Sequence, residues 1–160
     1  MNRLALAIAV GIVGLIAVAE PAAKMLRGPG AAGEARVIDG DTIKIGSVTI
    51  RLWGMDAPEM GQRCGAHDCG RMAADRLTDI IAGAPVQCAM VDTDRYGRMV
   101  ATCTANGTDL GEAMVRDGYA IDYPMYSRGR YAPAEDEARR ARRGLWPLGF
   151  ENPADWRRKR

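Results

Sequence analysis

The sequence predicts an α+β domain made mainly of β-structure, in which five short strands close a small barrel and three helices pack around it. Apolar and polar residues alternate on both sides of Gly46-Ser47, and two more apolar-rich segments flank the turn Asp94-Arg95-Tyr96-Gly97; these patterns predict strands. Apolar residues at helical spacing in later segments predict the helices. A chain of 160 residues is long enough for one such domain with a single core.

Composition narrows the class of protein only slightly. With 48% hydrophobic and 26% charged residues, the chain is globular rather than disordered. Its net charge of +2 is too small to indicate nucleic-acid binding by itself. Residues 151–160 end in four basic side chains, which form either a frayed, solvated tail or a phosphate-attracting one.

An apolar segment precedes the domain. Residues 4–19 carry no charge and follow Arg3, a pattern typical of an export signal. The segment is short for a membrane span, which needs about 20 apolar residues, and Ala17-Val18-Ala19 offers a cleavage site. We therefore expect residues 1–23 to be a signal peptide or a membrane anchor, followed by a linker at 24–34. Either way, the domain is expected outside the cytoplasm, periplasmic or secreted.

The strands are placed by alternation and by turns. The first is predicted at 35–38, and residues 43–45 and 48–52 form the arms of a hairpin around a two-residue loop. Residues 85–91 and 98–105 form a second hairpin. Residues 60–70 are rich in Gly and Cys and are predicted to be an irregular insertion.

Three helices follow from periodicity and from capping residues. The first covers 71–81 and ends at Gly83. Asp109 with Glu112 resembles a capping box for the second helix. The third begins at Pro133, with acids in its first turn and arginines in its last, which complement the helix dipole or form a binding patch. This order of strands and helices favours a barrel of the oligonucleotide-binding (OB) type.

Four cysteines in an exported chain predict two disulfides. Cys88 and Cys103 fall opposite one another if the second hairpin turns between Arg95 and Tyr96, and facing residues can be bridged. Cys64 and Cys69 then close a small loop. The alternative is a metal site formed by these two cysteines with His67, which lacks a fourth ligand.

Two acidic turns are predicted to meet. The first hairpin separates Asp41 from Asp56 and can bring their carboxylates together, where they need a cation or protons to offset their repulsion. Oxygen ligands suit Ca²⁺ or Mg²⁺. Arg51 beside them indicates that a phosphate is the third charged group.

Three motifs in this order resemble the staphylococcal nuclease (thermonuclease) family. They are Asp39-Gly40-Asp41-Thr42, Arg51-Leu52-Trp53-Gly54-Met55-Asp56-Ala57-Pro58-Glu59 and Asp94-Arg95-Tyr96-Gly97-Arg98. Glu135 to Ala138 and Gly144-Leu145-Trp146 are similar to the end of that domain, which we place at 35–150. The resemblance implies a five-stranded OB-fold barrel with three helices. It also implies Ca²⁺-dependent hydrolysis of phosphodiester bonds in DNA and RNA, leaving 3′-phosphate ends.

By position in these motifs, the resemblance implies a metal site. Asp41 and Asp56 would bind Ca²⁺ through carboxylates, and Ala57 through its backbone carbonyl, at a position where the family often has threonine. Asp39 would hold the metal ligands in place.

The resemblance also implies the groups that act on the substrate. Glu59 would orient or deprotonate the attacking water, and Arg51 and Arg98 would bind the scissile phosphate. Tyr123 and Tyr126 would contact the nucleotide by stacking, or else cover the end of the barrel. The chain is expected to be a monomer.

Two alternatives to a nuclease function remain: a nucleic-acid-binding OB-fold module without catalysis, and a structural domain of the cell envelope.

Overall fold

The computed structural model describes residues 30–160, which form a mixed β-sheet with helices packed against it. The strands are β1 (Ala31–Gly33), β2 (Ala35–Val37), β3 (Thr42–Ile45), β4 (Val48–Leu52), β5 (Met55–Asp56), β6 (Arg63–Cys64), β7 (His67–Asp68), β8 (Val86–Thr93), β9 (Met99–Ala105), β10 (Thr108–Asp109) and β11 (Ile121–Asp122). The α-helices are α1 (Cys69–Ile81), α2 (Leu110–Arg116), α3 (Pro124–Ser127), α4 (Ala132–Arg140) and α5 (Pro153–Arg158), and a 3-10 helix covers Trp146–Leu148.

The main sheet has seven strands rather than five, and it is not a closed barrel. Its hydrogen-bonded order is β1-β8-β9-β4-β3-β2, with β10 paired to β9. The end strands β1 and β2 are consecutive in the chain, and at Glu34 the chain changes its partner from β8 to β3. Within residues 30–160, β1 and β2 form no hydrogen-bonded ladder with each other, so the sheet is open between them. The predicted α+β class is confirmed, whereas the prediction of a closed five-stranded barrel is wrong.

Both predicted hairpins are present in the sheet. The loop Gly46-Ser47 sets a register in which Thr42 of β3 lies opposite Arg51 of β4. In the second hairpin, Cys88 of β8 lies opposite Cys103 of β9, as predicted. A disulfide joins these two cysteines, with their Cα atoms 4.1 Å apart; we call it the cross-hairpin disulfide.

The core lies between the sheet and the first two helices. Ile43, Ile50 and Leu52 point inward and are at most 2% exposed, as the alternation predicts. Leu77 of α1 and Met114 of α2 are fully buried against them. Burial of these apolar side chains fixes the first hairpin, at one end of which the acidic turns lie.

The described residues contain five α-helices rather than three, of which α1, α2 and α4 were predicted. The first begins two residues early, because the Asp68 carboxylate caps it by accepting the N–H of Arg71 at 3.0 Å. Asp109 caps α2 as predicted. The full capping box is wrong, because the Glu112 side chain pairs with Arg116 instead of returning to the helix start.

The insertion at residues 60–70 is not irregular, because β6 and β7 form a small hairpin there. The predicted disulfide Cys64–Cys69 joins this hairpin to the start of α1. With Leu145, the two cysteines form a second apolar cluster, and Phe150 packs against it. The insertion is therefore connected to the C-terminal segment.

The expected signal peptide or anchor at residues 1–23 lies outside the described residues, as does most of the linker. Residues 31–33, which were assigned to the linker, form β1. Within residues 30–160, none of the helices has the length and apolar character needed to cross a membrane. The basic tail at 151–160 contains α5.

Candidate active site

Two buried carboxylates mark one end of the first hairpin. Asp41 precedes β3, and its backbone N–H donates to Oδ1 of Asp39 at 3.0 Å, which fixes the turn. Asp56 ends β5 and lies opposite Ile121 of β11. The exposed fractions of Asp41 and Asp56 are 5% and 1%. Two charges buried to this extent require charged or hydrogen-bonding partners.

Arg51 joins the two acids. Its Nη1 donates to Oδ1 of Asp41 and its Nη2 to Oδ1 of Asp56, each at 2.8 Å. The hairpin register makes this possible, because Arg51 lies opposite Thr42, the residue after Asp41. The Thr42 hydroxyl also donates to Oδ1 of Asp41 at 3.0 Å. The structure therefore brings both carboxylates to one positive charge.

The charge state of Asp41 is balanced near neutral pH. Burial raises the pKa of its carboxyl to about 7, from an ordinary value of 3.8. Arg51 lowers this pKa, whereas the negative charges of Asp39 and Asp56 raise it. Loss of hydration is the largest of these effects, and it disfavours the charged carboxylate. A further positive charge close to Asp41 would lower this pKa and so favour the ionised form.

Glu59 follows on a loop whose backbone is held by Gln62. The Glu59 N–H donates to Oε1 of Gln62 at 3.1 Å, and the Glu59 carbonyl accepts the N–H of Gln62 at 2.8 Å. Gln62 is fully buried. Gly70 passes so close that a Cβ added to it would lie 2.0 Å from the Glu59 carbonyl oxygen. The position of Glu59 thus depends on the 60–70 insertion.

Arg157 of α5 completes the group, although none of the sequence motifs predicts a role for it. Its Nη2 donates to Oδ2 of Asp56 at 2.9 Å, and its Nη1 donates to Oδ1 of Asp56 at 3.0 Å and to Oε1 of Glu59 at 2.5 Å. We call Asp41, Asp56 and Glu59, with the arginines that bind them, the carboxylate cluster.

A signal for α5 is present in the sequence. Asn152-Pro153 combines an N-cap residue with a proline at the first helical position, which is a common helix start. The Asn152 side chain accepts the N–H of Ala154 at 2.9 Å and so caps the helix. Residues 151–160 are therefore a folded, docked segment rather than a frayed tail.

Arg98 lies apart from the carboxylate cluster. It directly precedes β9, which pairs in parallel with β4, so Arg98 lies at the start of the strand next to the one that carries Arg51. The Arg98 Nε donates to Oδ2 of Asp94 at 2.7 Å, and Oδ1 of Asp94 accepts the N–H groups of Tyr96 and Arg98. Burial raises the pKa of Asp94, but these hydrogen bonds outweigh it and lower the pKa below its ordinary value. Within residues 30–160, no hydrogen bond joins Arg98 to the cluster.

Ala57 connects the two acidic turns. It is 2% exposed, and its backbone N–H donates to Oδ2 of Asp41 at 3.4 Å. A Cβ added to Gly40 would lie 2.7 Å from the Ala57 Cβ, so the two turns are in direct contact and only small residues fit. The metal contact through the Ala57 carbonyl stays a prediction.

The donor chemistry of the cluster fits a hard cation. Asp41 and Asp56 direct carboxylate oxygens to one place, and Ca²⁺ prefers about six to eight oxygen ligands. In the part of the chain that the structure describes, no three His, Cys, Asp or Glu side chains gather as a metal site by themselves. Ca²⁺ would therefore be held by two carboxylates, with backbone oxygen and water. The alternative site at Cys64, His67 and Cys69 is excluded, because its cysteines form a disulfide.

The tyrosine-rich segment has two roles in the structure. The rings of Tyr123 and Tyr126 meet edge to face with centroids 4.9 Å apart, and Tyr126 is 53% exposed. The Tyr123 N–H donates to the carbonyl of Gly54, which links this segment to the loop before β5. Tyr131 is only 1% exposed and packs against Trp53. Tyr131 is thus a packing residue, whereas Tyr126 offers free aromatic surface.

Comparison with known proteins assigns this site to a family. Residues 49–147 match the family model described as staphylococcal nuclease homologue. The chain belongs to the staphylococcal nuclease family. The matched range contains Arg51, Asp56, Glu59 and Arg98, whereas Asp41 precedes it and Arg157 follows it.

Of three curated relatives, two are named as nucleases. The succinoglycan biosynthesis protein ExoI of Rhizobium meliloti (strain 1021) is 39% identical over 121 residues, which cover 71% of this chain and 63% of that protein. An uncharacterized endonuclease of Escherichia coli O157:H7 is 39% identical over 117 residues, covering 69% of this chain and 73% of that protein. The micrococcal nuclease of Shigella flexneri is 34% identical over 140 residues, covering 77% and 78%.

Proposed function

We propose that this chain is an exported, Ca²⁺-dependent endonuclease that hydrolyses phosphodiester bonds in DNA and RNA and leaves 3′-phosphate ends. The observation that carries the proposal is the placement of Arg51 between Asp41 and Asp56, with Glu59 on the adjoining loop. Membership of the family supports it, since relatives are named endonuclease and micrococcal nuclease.

Arg51 and Arg98 are suited to bind the scissile phosphate. A guanidinium group is planar and offers paired N–H donors that match two phosphate oxygens. In the transition state the equatorial oxygens bonded to phosphorus carry extra negative charge. These donors therefore bind the transition state more tightly than they bind the substrate. Each such donor is worth about 3 kcal/mol of transition-state stabilisation.

Glu59 is the group that accepts the proton of the attacking water. The water oxygen forms a bond to phosphorus while the bond from phosphorus to the 5′ oxygen breaks. The 5′ oxygen leaves with a proton from solvent, which gives a 5′-hydroxyl and a 3′-phosphate. When bound by Asp41 and Asp56, Ca²⁺ supplies positive charge that polarises the phosphate and makes water easier to deprotonate.

Variants of the two groups outside the metal site test this function. Arg98→Ala should lower cleavage by about 10²- to 10³-fold, and Glu59→Gln should lower it at least as strongly because the base is lost. Arg71→Ala is the matched control, since Arg71 lies on α1 and is 65% exposed. Unchanged cleavage by both Arg98→Ala and Glu59→Gln would refute the proposal.

We also propose that residues 1–23 take the domain out of the cytoplasm, as a signal peptide or as an anchor. The apolar segment after Arg3 supports this, and so do two disulfides, which persist in oxidising compartments. Cell fractionation with a non-reducing peptide map tests it. Protein found in the cytoplasm with free thiols would contradict it.

A further inference from the structure

We propose that α5 closes the carboxylate cluster through Arg157 and that a divalent cation must displace this arginine to bind. The segment would act as a built-in competitor of the metal. This inference rests on the proposed function, because it concerns the regulation of the same site.

The hydrogen bonds of Arg157 occupy the atoms that a cation needs. Both oxygens of Asp56 accept from its guanidinium, at 3.0 and 2.9 Å, and Oδ1 also accepts from Arg51. The same guanidinium holds Oε1 of Glu59. With these groups in place the Asp56 side chain is 1% exposed, so a cation from solvent cannot reach it until a guanidinium leaves.

Because of their charges, a divalent cation and the Arg157 guanidinium cannot bind Asp56 at the same time. Arg51 and Arg157 already set two positive charges against the three carboxylates of the cluster. A divalent cation bound to Asp56 would stand within contact distance of the Arg157 guanidinium, where like charges repel strongly in a poorly hydrated site. Arg157 is the arginine that can move, since its side chain is 35% exposed and that of Arg51 is 18% exposed.

The segment is anchored upstream of the part that must move. The fully buried Gln62 donates through Nε2 to the carbonyl of Glu151 at 2.7 Å, and Phe150 packs against the Cys64–Cys69 cluster. Within the six residues of α5 only Pro153, at its first position, is buried. A short helix with so little buried apolar surface can detach locally at low cost while its anchor stays in place.

Calorimetric titration of Ca²⁺ into the full-length chain tests the competition. Arg157→Ala should bind Ca²⁺ at least about tenfold more tightly than the unsubstituted chain, since it loses two charge-assisted bonds to Asp56. Arg157→Gln, which keeps part of the aliphatic stem and a polar end but removes the positive charge, should behave in the same way. Arg158→Ala is the matched control, because Arg158 lies on the same helix, is 76% exposed and, among residues 30–160, pairs only with Asp155. It should bind Ca²⁺ as the unsubstituted chain does.

Hydrogen exchange gives a second readout that does not depend on activity. Addition of Ca²⁺ should increase amide exchange in residues 154–158 of the unsubstituted chain and leave Gln62 protected. Equal Ca²⁺ affinity in both Arg157 variants and the unsubstituted chain, or exchange in α5 that Ca²⁺ does not change, would overturn the inference. So would a chain that binds no Ca²⁺ in any variant.

Failure of this inference is distinguishable from failure of the proposed function. If the chain cleaves nucleic acid with Ca²⁺ but Arg157→Ala binds Ca²⁺ no more tightly, only the competition is refuted. If Arg157→Ala binds Ca²⁺ more tightly but neither protein cleaves DNA or RNA at saturating Ca²⁺, the competition holds and the nuclease assignment is refuted.

Discussion

Asp41→Asn should stabilise the metal-free protein at neutral and alkaline pH. The carboxyl of Asp41 is buried beside Arg51, the negative charges of Asp39 and Asp56, and the hydroxyl of Thr42, and burial raises its pKa to about 7. A carboxyl whose pKa is higher in the folded than in the unfolded chain favours folding at low pH. That contribution is lost as pH rises through the folded pKa, so above pH 7 the ionised group opposes folding.

The size of the effect follows from the two pKa values. The pKa rises from 3.8 to about 7, and each pKa unit corresponds to about 1.4 kcal/mol. Replacement by neutral asparagine should therefore raise the free energy of unfolding by up to about 4 kcal/mol near pH 8. The gain should shrink toward zero near pH 4, where the carboxyl of Asp41 is neutral in the folded protein.

Urea unfolding in the presence of a chelator, at pH values from 4 to 8, measures this difference. Asp75→Asn is the control for net charge, since the Asp75 side chain on α1 is 59% exposed. A loss of stability in Asp41→Asn at pH 8, or a difference from the unsubstituted chain that does not change with pH, would show that burial does not hold Asp41 near neutrality.

Three further predictions concern the supports of the site and of the sheet. Asp94→Asn should lower kcat/KM about tenfold with little change in Tm, because the Arg98 guanidinium loses its charged partner; steady-state cleavage that stays unchanged would contradict this. Gly70→Ala should cost about 1–3 kcal/mol of stability and reduce cleavage, because its Cβ would collide with the Glu59 carbonyl; an active variant with unchanged Tm would refute that contact. Loss of the cross-hairpin disulfide, which closes a separation of 15 residues, should lower the free energy of unfolding by about 3 kcal/mol. Unfolding in denaturant would show a much smaller loss if the bridge does not form.

Turn residues and hairpin register, which are local features of the sequence, predicted most of the sheet and the meeting of Arg51 with Asp41. The two-residue loop Gly46-Ser47 fixes the register of its hairpin, and that register alone sets Arg51 beside Thr42 and hence beside Asp41. The same logic placed Cys88 opposite Cys103. The closed barrel was predicted wrongly, because local patterns did not show that the chain changes its partner from β8 to β3 at Glu34.

The missing parts of the site are contacts between distant segments. Arg157 meets Asp56 and Glu59 across 101 and 98 residues, a separation at which neither periodicity nor spacing carries information. Its helix could have been found from Asn152-Pro153, but the four basic residues that end the chain led to the prediction of a solvated or phosphate-attracting tail instead. Gln62, which holds both the Glu59 loop and the C-terminal segment, has no sequence signature.

The most direct test of the central claim is digestion of single-stranded DNA, duplex DNA and RNA by the full-length chain, with Ca²⁺, with Mg²⁺ and with chelator, followed by analysis of the product ends. We predict cleavage of all three substrates that requires Ca²⁺, stops in chelator and leaves 3′-phosphates. Cleavage that continues in chelator would contradict the role of Asp41 and Asp56 as metal ligands. Binding of nucleic acid without cleavage would make the domain a non-catalytic binding module.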